Sequence, residues 1–302
     1  MEDMITGLCP QCGHTLHIPA ELASFSCMYC GARLTKEQLA AEPPAAQEAD
    51  EDRAAYYDRA VSRLGWCIKN FGGYQKKIMR DVFFEAFETY ETGCAPVIQE
   101  LARGVAPEQQ TQLLGRAAVA MLDELEAGWQ KKGDMEDEKI VLAIFFVPMV
   151  RKQQLPISEE FVTILQKQWV ERYPKSPFYL GDYESISGGF RKKFLGLCFI
   201  TTAVCQELGK PDDCEELTAF RTFRDGYLRS QPDGEALIRE YYNIAPGIVT
   251  CINTCSDRHA SYARIREEYL APCYQDLLAG RNESCKARYV RMVRDLEREY
   301  LS

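Results

Sequence analysis

From Tyr56 onward the apolar positions recur at helical spacing. In VFFEAFETYETG, Phe83, Phe87 and Tyr90 stand at i, i+4 and i+7, and Gly93 follows as the expected stop. PEQQTQLLGRAAVAMLDELEAGWQ repeats the logic and predicts Leu114, Val119, Met121, Leu122 and Leu125 as largely buried. ISEEFVTILQKQWVERYP opens with Ser158 and Glu160 near an N-cap and closes before Pro174. The longest apolar run, Ile140 to Val150, is too short to span a bilayer and contains Pro148; it reads as a buried core helix. No alternating strand pattern competes with these stripes. Their aromatic residues are expected in a core rather than around a cofactor.

GGFRKKFLGLCFITTAVCQELG continues the period, with Phe190, Phe194, Leu197, Thr201, Val204 and Leu208 on one face and Gly209 as the closing residue. A buried strand through CFITTAV is the competing reading, because Ile200, Thr201 and Thr202 are β-branched. Pro211 then forces a turn. Asp213 and Glu216 have capping-box spacing, so a new helix is expected near Cys214, with Leu217, Phe220 and Tyr227 as its apolar stripe. Arg221 and Asp225 are spaced to pair at i, i+4. In the tail, Tyr289, Val293, Leu296 and Tyr300 share a face. Arg288, Arg291, Arg294 and Arg298 share another, mixed with Asp295, Glu297 and Glu299, the pattern of a solvated surface.

The N-terminal region has a different grammar. Cys9-x2-Cys12 and Cys27-x2-Cys30 are each followed by glycine, Gly13 and Gly31, which lets the backbone turn its N–H groups toward thiolate sulfur. Four thiolates suit the tetrahedral preference of Zn²⁺, and a closed sulfur shell leaves no position for a reactive water. One structural zinc on Cys9, Cys12, Cys27 and Cys30 is expected. His14 and His17 fall between the knuckles and read as ribbon residues rather than ligands. The stretch resembles CPxCG…CxYCG zinc ribbons in both knuckles and in their spacing. After it, Thr35 to Arg53 is rich in Ala, Glu, Asp and Pro without an apolar stripe, the composition of an acidic linker.

Charge and cysteine usage narrow the function. The net charge of −9 argues against a general nucleic-acid surface, and the ribbon has no basic footprint. The N-terminus has no basic segment followed by an apolar one, so a cytoplasmic location without membrane insertion is expected. Thirteen cysteines there should be thiols or metal ligands rather than disulfides.

CFITTAV, the KPDD turn, FRTFRD and IREYYNIAPGIV together resemble the bacterial family named for its CFI box. SPFYLGDYESISGGF extends the likeness, which runs from about residue 120 to the C-terminus. Many relatives read CFIATA, with Ala where Thr201 stands here. The resemblance implies a domain, without an established activity. The expected organisation is a ribbon over 1–35, a linker over 36–54, a helical middle domain over 55–182 and a helical CFI-box domain over 183–302. The fold class is mainly α, with a small zinc β-ribbon.

Candidate chemistry centres on Cys198. As a nucleophile it needs a lowered pKa, but Leu197, Phe199 and Ile200 flank it, and the single histidine outside the ribbon is His259. A buried structural thiol is the favoured reading. Asp212 and Asp213 are explained by capping. Arg221 and Arg224 are suited either to clamp an anion or, as favoured, to pair with Asp225 and Asp213. Cys251, Cys255 and His259 at i, i+4 and i+8 suggest a second metal site on one helix face, against the plainer reading of buried cysteines. The function expected from these readings is a non-enzymatic interaction or scaffold protein that docks another protein through its ribbon. The alternative is a thiol- or metal-dependent enzyme built on Cys198 and His259.

Overall fold

The computed structural model describes residues 4–11, 15–39, 50–191 and 198–302, and it is mainly helical. The chain divides into two units, Met1–Asp52 and Arg53–Ser302, each with its own hydrophobic cluster.

In the first unit, β1 (Met4–Leu8) pairs antiparallel with β2 (Thr15–Pro19), and β3 (Ser24–Ser26) pairs with β4 (Arg33–Thr35). Strand alternation sends Leu16 and Ile18 inward and leaves His17 exposed. Leu34, Cys9 and Cys27 complete a small buried cluster. So small a core is usually supplemented by a metal or a cross-link.

The expected linker falls largely on residues 40–49, outside the described residues. Its C-terminal end is helical instead, since α1 (Asp50–Leu64) begins inside it.

The second unit contains α2 (Trp66–Lys69), α3 (Phe83–Gly104), α4 (Gln110–Gly128), α5 (Lys132–Val141), α6 (Val147–Lys152) and α7 (Ser158–Arg172). It continues with α8 (Tyr183–Arg191), α9 (Phe199–Glu207), α10 (Glu215–Phe223) and α11 (Gly234–Cys255). The chain then forms α12 (Arg258–Ile265), α13 (Ala271–Leu278) and α14 (Asn282–Tyr300). Every residue from Ile140 to Val150 is buried, as the apolar run requires. Between α5 and α6 the helix widens to a π turn at Leu142–Phe146, where the Val147 N–H reaches the Leu142 carbonyl. Pro148, which has no N–H, follows directly.

Three local expectations change. Gly93 does not stop α3: a Cβ there would lie 3.3 Å from Cζ of Phe71, so the glycine serves packing inside a continuing helix. Val119 is exposed rather than buried. The single helix expected from Phe190 to Leu208 is broken at Cys198, which is non-helical at φ −102 and ψ 80, while Phe194 and Leu197 lie outside the described residues.

One hydrophobic core runs from Tyr57 to Leu301, through segments 55–182 and 183–302 alike. Phe83 stacks on Phe190 at 4.3 Å between ring centres. The Asn243 carbonyl accepts from the Arg80 N–H at 3.0 Å, and the Thr254 carbonyl from the Tyr179 N–H at 2.8 Å. α11 approaches so closely that a Cβ on Gly247 would lie 1.8 Å from the Ile78 carbonyl oxygen.

The CFITTAV stretch forms α9, a helix rather than a strand, from Phe199 on. Its end is a Schellman turn: Gly209, at φ +67, donates to the Gln206 carbonyl, and the Lys210 N–H donates to the Cys205 carbonyl at 2.9 Å. After the Pro211 turn, α10 returns toward α9.

Candidate functional site

In the first unit, β1 delivers Cys9, while Cys27 and Cys30 bracket a turn between β3 and β4. Their sulfur atoms lie within 4.8 Å of one another, with Cys9 and Cys30 3.8 Å apart. Cys9 and Cys27 are buried and Cys30 is exposed. The knuckle is closed by two backbone bonds of 2.8 Å, from the Gly31 N–H to the Cys27 carbonyl and from the Cys27 N–H to the Ala32 carbonyl. Gly31 sits at φ +74, a conformation that disfavours other residues. The cluster could hold a metal ion. Cys12 and His14 lie outside the described residues. His17 is exposed and outside the cluster.

In the second unit the CFITTAV, FRTFRD and IREYYNIAPGIV segments meet around Arg224. Its Nε and Nη2 donate to both oxygens of Asp225, at 2.8 and 2.6 Å. Nη1 donates to the Tyr242 hydroxyl at 3.0 Å and to the Cys198 sulfur at 3.5 Å. Arg224 is buried and opens a π turn, Arg224–Leu228, at the end of α10. The Ile200 N–H, one of the first-turn donors of α9 that lack a helical acceptor, donates to the Tyr241 hydroxyl at 3.0 Å. Thr201 Oγ1 lies 3.2 Å from the Tyr289 hydroxyl, which donates to Tyr241 at 3.4 Å.

The electrostatics follow the burial. Burial pushes the Cys198 thiol above its ordinary range, and the nearby Arg224 and Arg221 only partly counter it. Burial likewise drives the Tyr241 hydroxyl far up. The Arg224 guanidinium holds the Asp225 carboxyl below its usual range. The result is a protonated thiol beside an ion pair, an arrangement that suppresses nucleophilic chemistry.

A cavity of about 60 Å³ adjoins this cluster. Its walls are Phe220, Phe223, Leu237, Ile238, Val290 and Val293, with Cys198, Tyr241 and Tyr289 also facing it. At its lining, Arg294 pairs with both oxygens of Glu240 at 2.5 and 2.7 Å. A wider cleft of about 840 Å³ is lined by α8, α9, α11 and α12 residues, among them Thr202, whose Oγ1 is buried without a hydrogen-bond partner.

Several expected pairings are replaced. Arg221 binds Asp212, not Asp225 or Asp213: its Nη1 donates to the Asp212 carbonyl at 2.7 Å and its Nη2 to Oδ1 at 2.9 Å. Asp225 is already held by Arg224. The capping box on Asp213 does not form, because Cys214 is the N-cap of α10 and the buried Glu216 carboxylate accepts from Lys210. His259 does not meet Cys198. It is exposed on α12, with Nδ1 3.4 Å from Glu207 at the far end of α9. Glu207 lies nine positions after Cys198 along α9, about 13 Å of axial rise. Cys251 and Cys255 are buried on α11, which ends at Cys255, and the Cys251 thiol donates to the Tyr300 carbonyl at 3.6 Å. Extended backbone at Ser256 and the Asp257 cap of α12 carry His259 off that helix face. Among the described residues, Cys9, Cys27 and Cys30 form the one group of three or more metal-capable side chains.

Sequence reasoning did not single out Tyr241 and Tyr242, and it placed Tyr289 only on the apolar face of the tail. The first two lie within IREYYNIAPGIV, so the motif itself marked the segment. No family model, no curated protein and no solved structure matches the chain. No helix among the described residues is long and apolar enough to cross a membrane.

Proposed function

We propose that this chain is a cytosolic, non-enzymatic interaction protein whose ribbon, held by one structural zinc, docks a partner protein. Cys9, Cys12, Cys27 and Cys30 would be the zinc ligands. The helices from about residue 120 onward would be a CFI-box domain acting as scaffold. The observation that carries the reading is the thiol cluster beside an exposed turn. A tetrahedral shell with Zn–S bonds of about 2.3 Å places its sulfurs about 3.8 Å apart, and Cys9 and Cys30 are 3.8 Å apart. Between Cys27 and Cys30 the turn exposes Met28 at 81% and Tyr29 at 57%. A metal-locked turn presents such side chains with little backbone entropy left to lose on binding. Against the thiol-enzyme alternative stand the position of His259 beside Glu207, at the end of α9 away from Cys198, and the burial that pushes the Cys198 thiol up.

The test is affinity capture from the source cell with the wild-type chain and a Met28→Asp, Tyr29→Asp variant, with zinc measured on both. Loss of a specific protein partner at unchanged zinc content supports docking through the turn. Identical capture by both chains refutes it.

A further inference from the structure

Six body cysteines form three close pairs: Cys67 with Cys94, Cys205 with Cys214, and Cys273 with Cys285. Cys67, Cys94, Cys273 and Cys285 are each 0% exposed. In the remaining pair, Cys205 is buried in the last turn of α9, while Cys214, the N-cap residue of α10, is half-exposed. Their sulfurs are 3.9 Å apart. The turn between them is already closed by the Lys210 N–H on the Cys205 carbonyl at 2.9 Å and the Cys214 N–H on the Pro211 carbonyl at 3.1 Å. A disulfide needs the sulfurs at about 2.05 Å, so side-chain rotation at the end of one helix and the start of the next has a short gap to close.

We propose that Cys205 and Cys214 are a modification site: a dithiol that a hydroperoxide oxidises to a disulfide, stapling α9 to α10. The Cys214 thiolate attacks one peroxide oxygen, the O–O bond breaks, and Cys214 becomes a sulfenic acid while hydroxide leaves and takes up a proton. The Cys205 sulfur then attacks the Cys214 sulfur, the S–O bond breaks, and the departing oxygen leaves as water with the Cys205 proton. Two thiols lose two electrons and two protons, and hydrogen peroxide becomes two waters. Access decides the order, because the oxidant reaches Cys214 first. Burial, followed by the neighbouring Cys214, pushes the Cys205 thiol up to about 12. The Cys205 sulfur, 3.9 Å from that of Cys214, is the thiol placed to resolve the sulfenic acid. The bond would fix the angle between the helix that carries Ile200 and Thr201 and the helix that ends at Arg224.

The test uses the full chain treated with hydrogen peroxide, quenched, denatured, alkylated and cleaved after glutamate without reduction. Cleavage after Glu207 separates the two cysteines unless a disulfide joins them. Linked Cys205 and Cys214 peptides, lighter by two hydrogens and separated by dithiothreitol, are expected. Cys67, Cys94, Cys273 and Cys285 are expected to remain alkylable. In Cys205→Ser, Cys214 should stop at the sulfenic acid and be trapped by dimedone. In Cys214→Ser, Cys205 should stay a thiol. Full alkylation of Cys205 and Cys214 after peroxide, a link from either to Cys198, or oxidation of Cys205 in Cys214→Ser would each overturn the assignment.

Discussion

Nη1 of Arg224 donates to the Cys198 sulfur at 3.5 Å, from inside the core, while the rest of the guanidinium holds Asp225. A cation beside a cysteine normally favours the thiolate. Here burial outweighs it and the thiol is pushed up. Native Cys198 should therefore react with iodoacetamide at neutral pH far more slowly than half-exposed Cys214. His259→Ala should leave the Cys198 rate unchanged, because His259 lies beside Glu207, at the end of α9 away from Cys198. Rapid labelling of Cys198 that depends on His259 would restore the enzyme reading.

The two arginines should differ in their stability effects. The Arg224 side chain is 8% exposed and its Asp225 partner 48%, whereas Arg221 and Asp212 are 24% and 64% exposed. Asp225→Ala removes the carboxylate to which the buried guanidinium makes two hydrogen bonds. The expected cost is roughly 1–3 kcal/mol, below the fully buried limit because Asp225 is half solvated. Arg221→Ala should cost under about 1 kcal/mol. Urea midpoints for the two variants check the order, and a larger loss for Arg221→Ala would contradict it.

Alkaline pH should destabilise the helical unit. Cys205 and Cys255 are pushed up to about 12, chiefly by burial, and Cys198 and Tyr241 are raised for the same reason. In the unfolded chain a thiol ionises near 8.5. Above that pH the unfolded state binds fewer protons than the folded one, so stability falls as pH rises. The contribution is fully present below about 8.5 and is lost as pH climbs toward the folded values near 12. Chemical denaturation at stepped pH should show this slope, reduced in Cys255→Ala relative to the wild type.

Close helix packing provides a sharper test of the core. A Cβ on Gly247 would lie 1.8 Å from the Ile78 carbonyl oxygen, a backbone atom that cannot swing away. Gly247→Ala should cost about 1–3 kcal/mol or more through overpacking. Gly115→Ala, where a Cβ meets nothing within 4 Å, should stabilise α4 by roughly 0.5–1 kcal/mol. Thermal melts of both variants distinguish packing from helix propensity.

Helix existence was legible because it rests on local periodicity; partnership was not, because it rests on which groups are already taken. Ile140–Val150 could be read as buried from its apolar run, and Gly209 as a helix end from its residue type. Gly93 misled because a glycine looks the same whether it ends a helix or makes room for Phe71. Arg221 and Asp225 have pairing geometry on one helix, yet Arg224, one residue before Asp225, binds that carboxylate from deeper in the core. Cys251, Cys255 and His259 keep helical spacing only while the helix lasts, and α11 stops at Cys255. The tyrosines that meet α9 and Arg224 lie on α11 and α14, too far along the chain for spacing to pair them.

Metal removal should separate the two units. The first unit's cluster of Leu16, Ile18, Leu34, Cys9 and Cys27 is small, and two of its members belong to the proposed metal shell. Without the ion, those thiolates repel and the turn at Gly31 loses its main constraint, so the strands should unfold with chelation. The helical unit has its own core from Tyr57 to Leu301 and should keep its far-ultraviolet signal and its unfolding midpoint. Elemental analysis should give one zinc per chain, and Cys27→Ala should abolish it. Cys251→Ala and Cys255→Ala should leave the zinc content intact, because those thiols are buried in the helical core rather than joined to a cluster. Zinc that persists in Cys27→Ala and disappears in Cys255→Ala would place the main site in the helical unit and remove the basis for the docking ribbon.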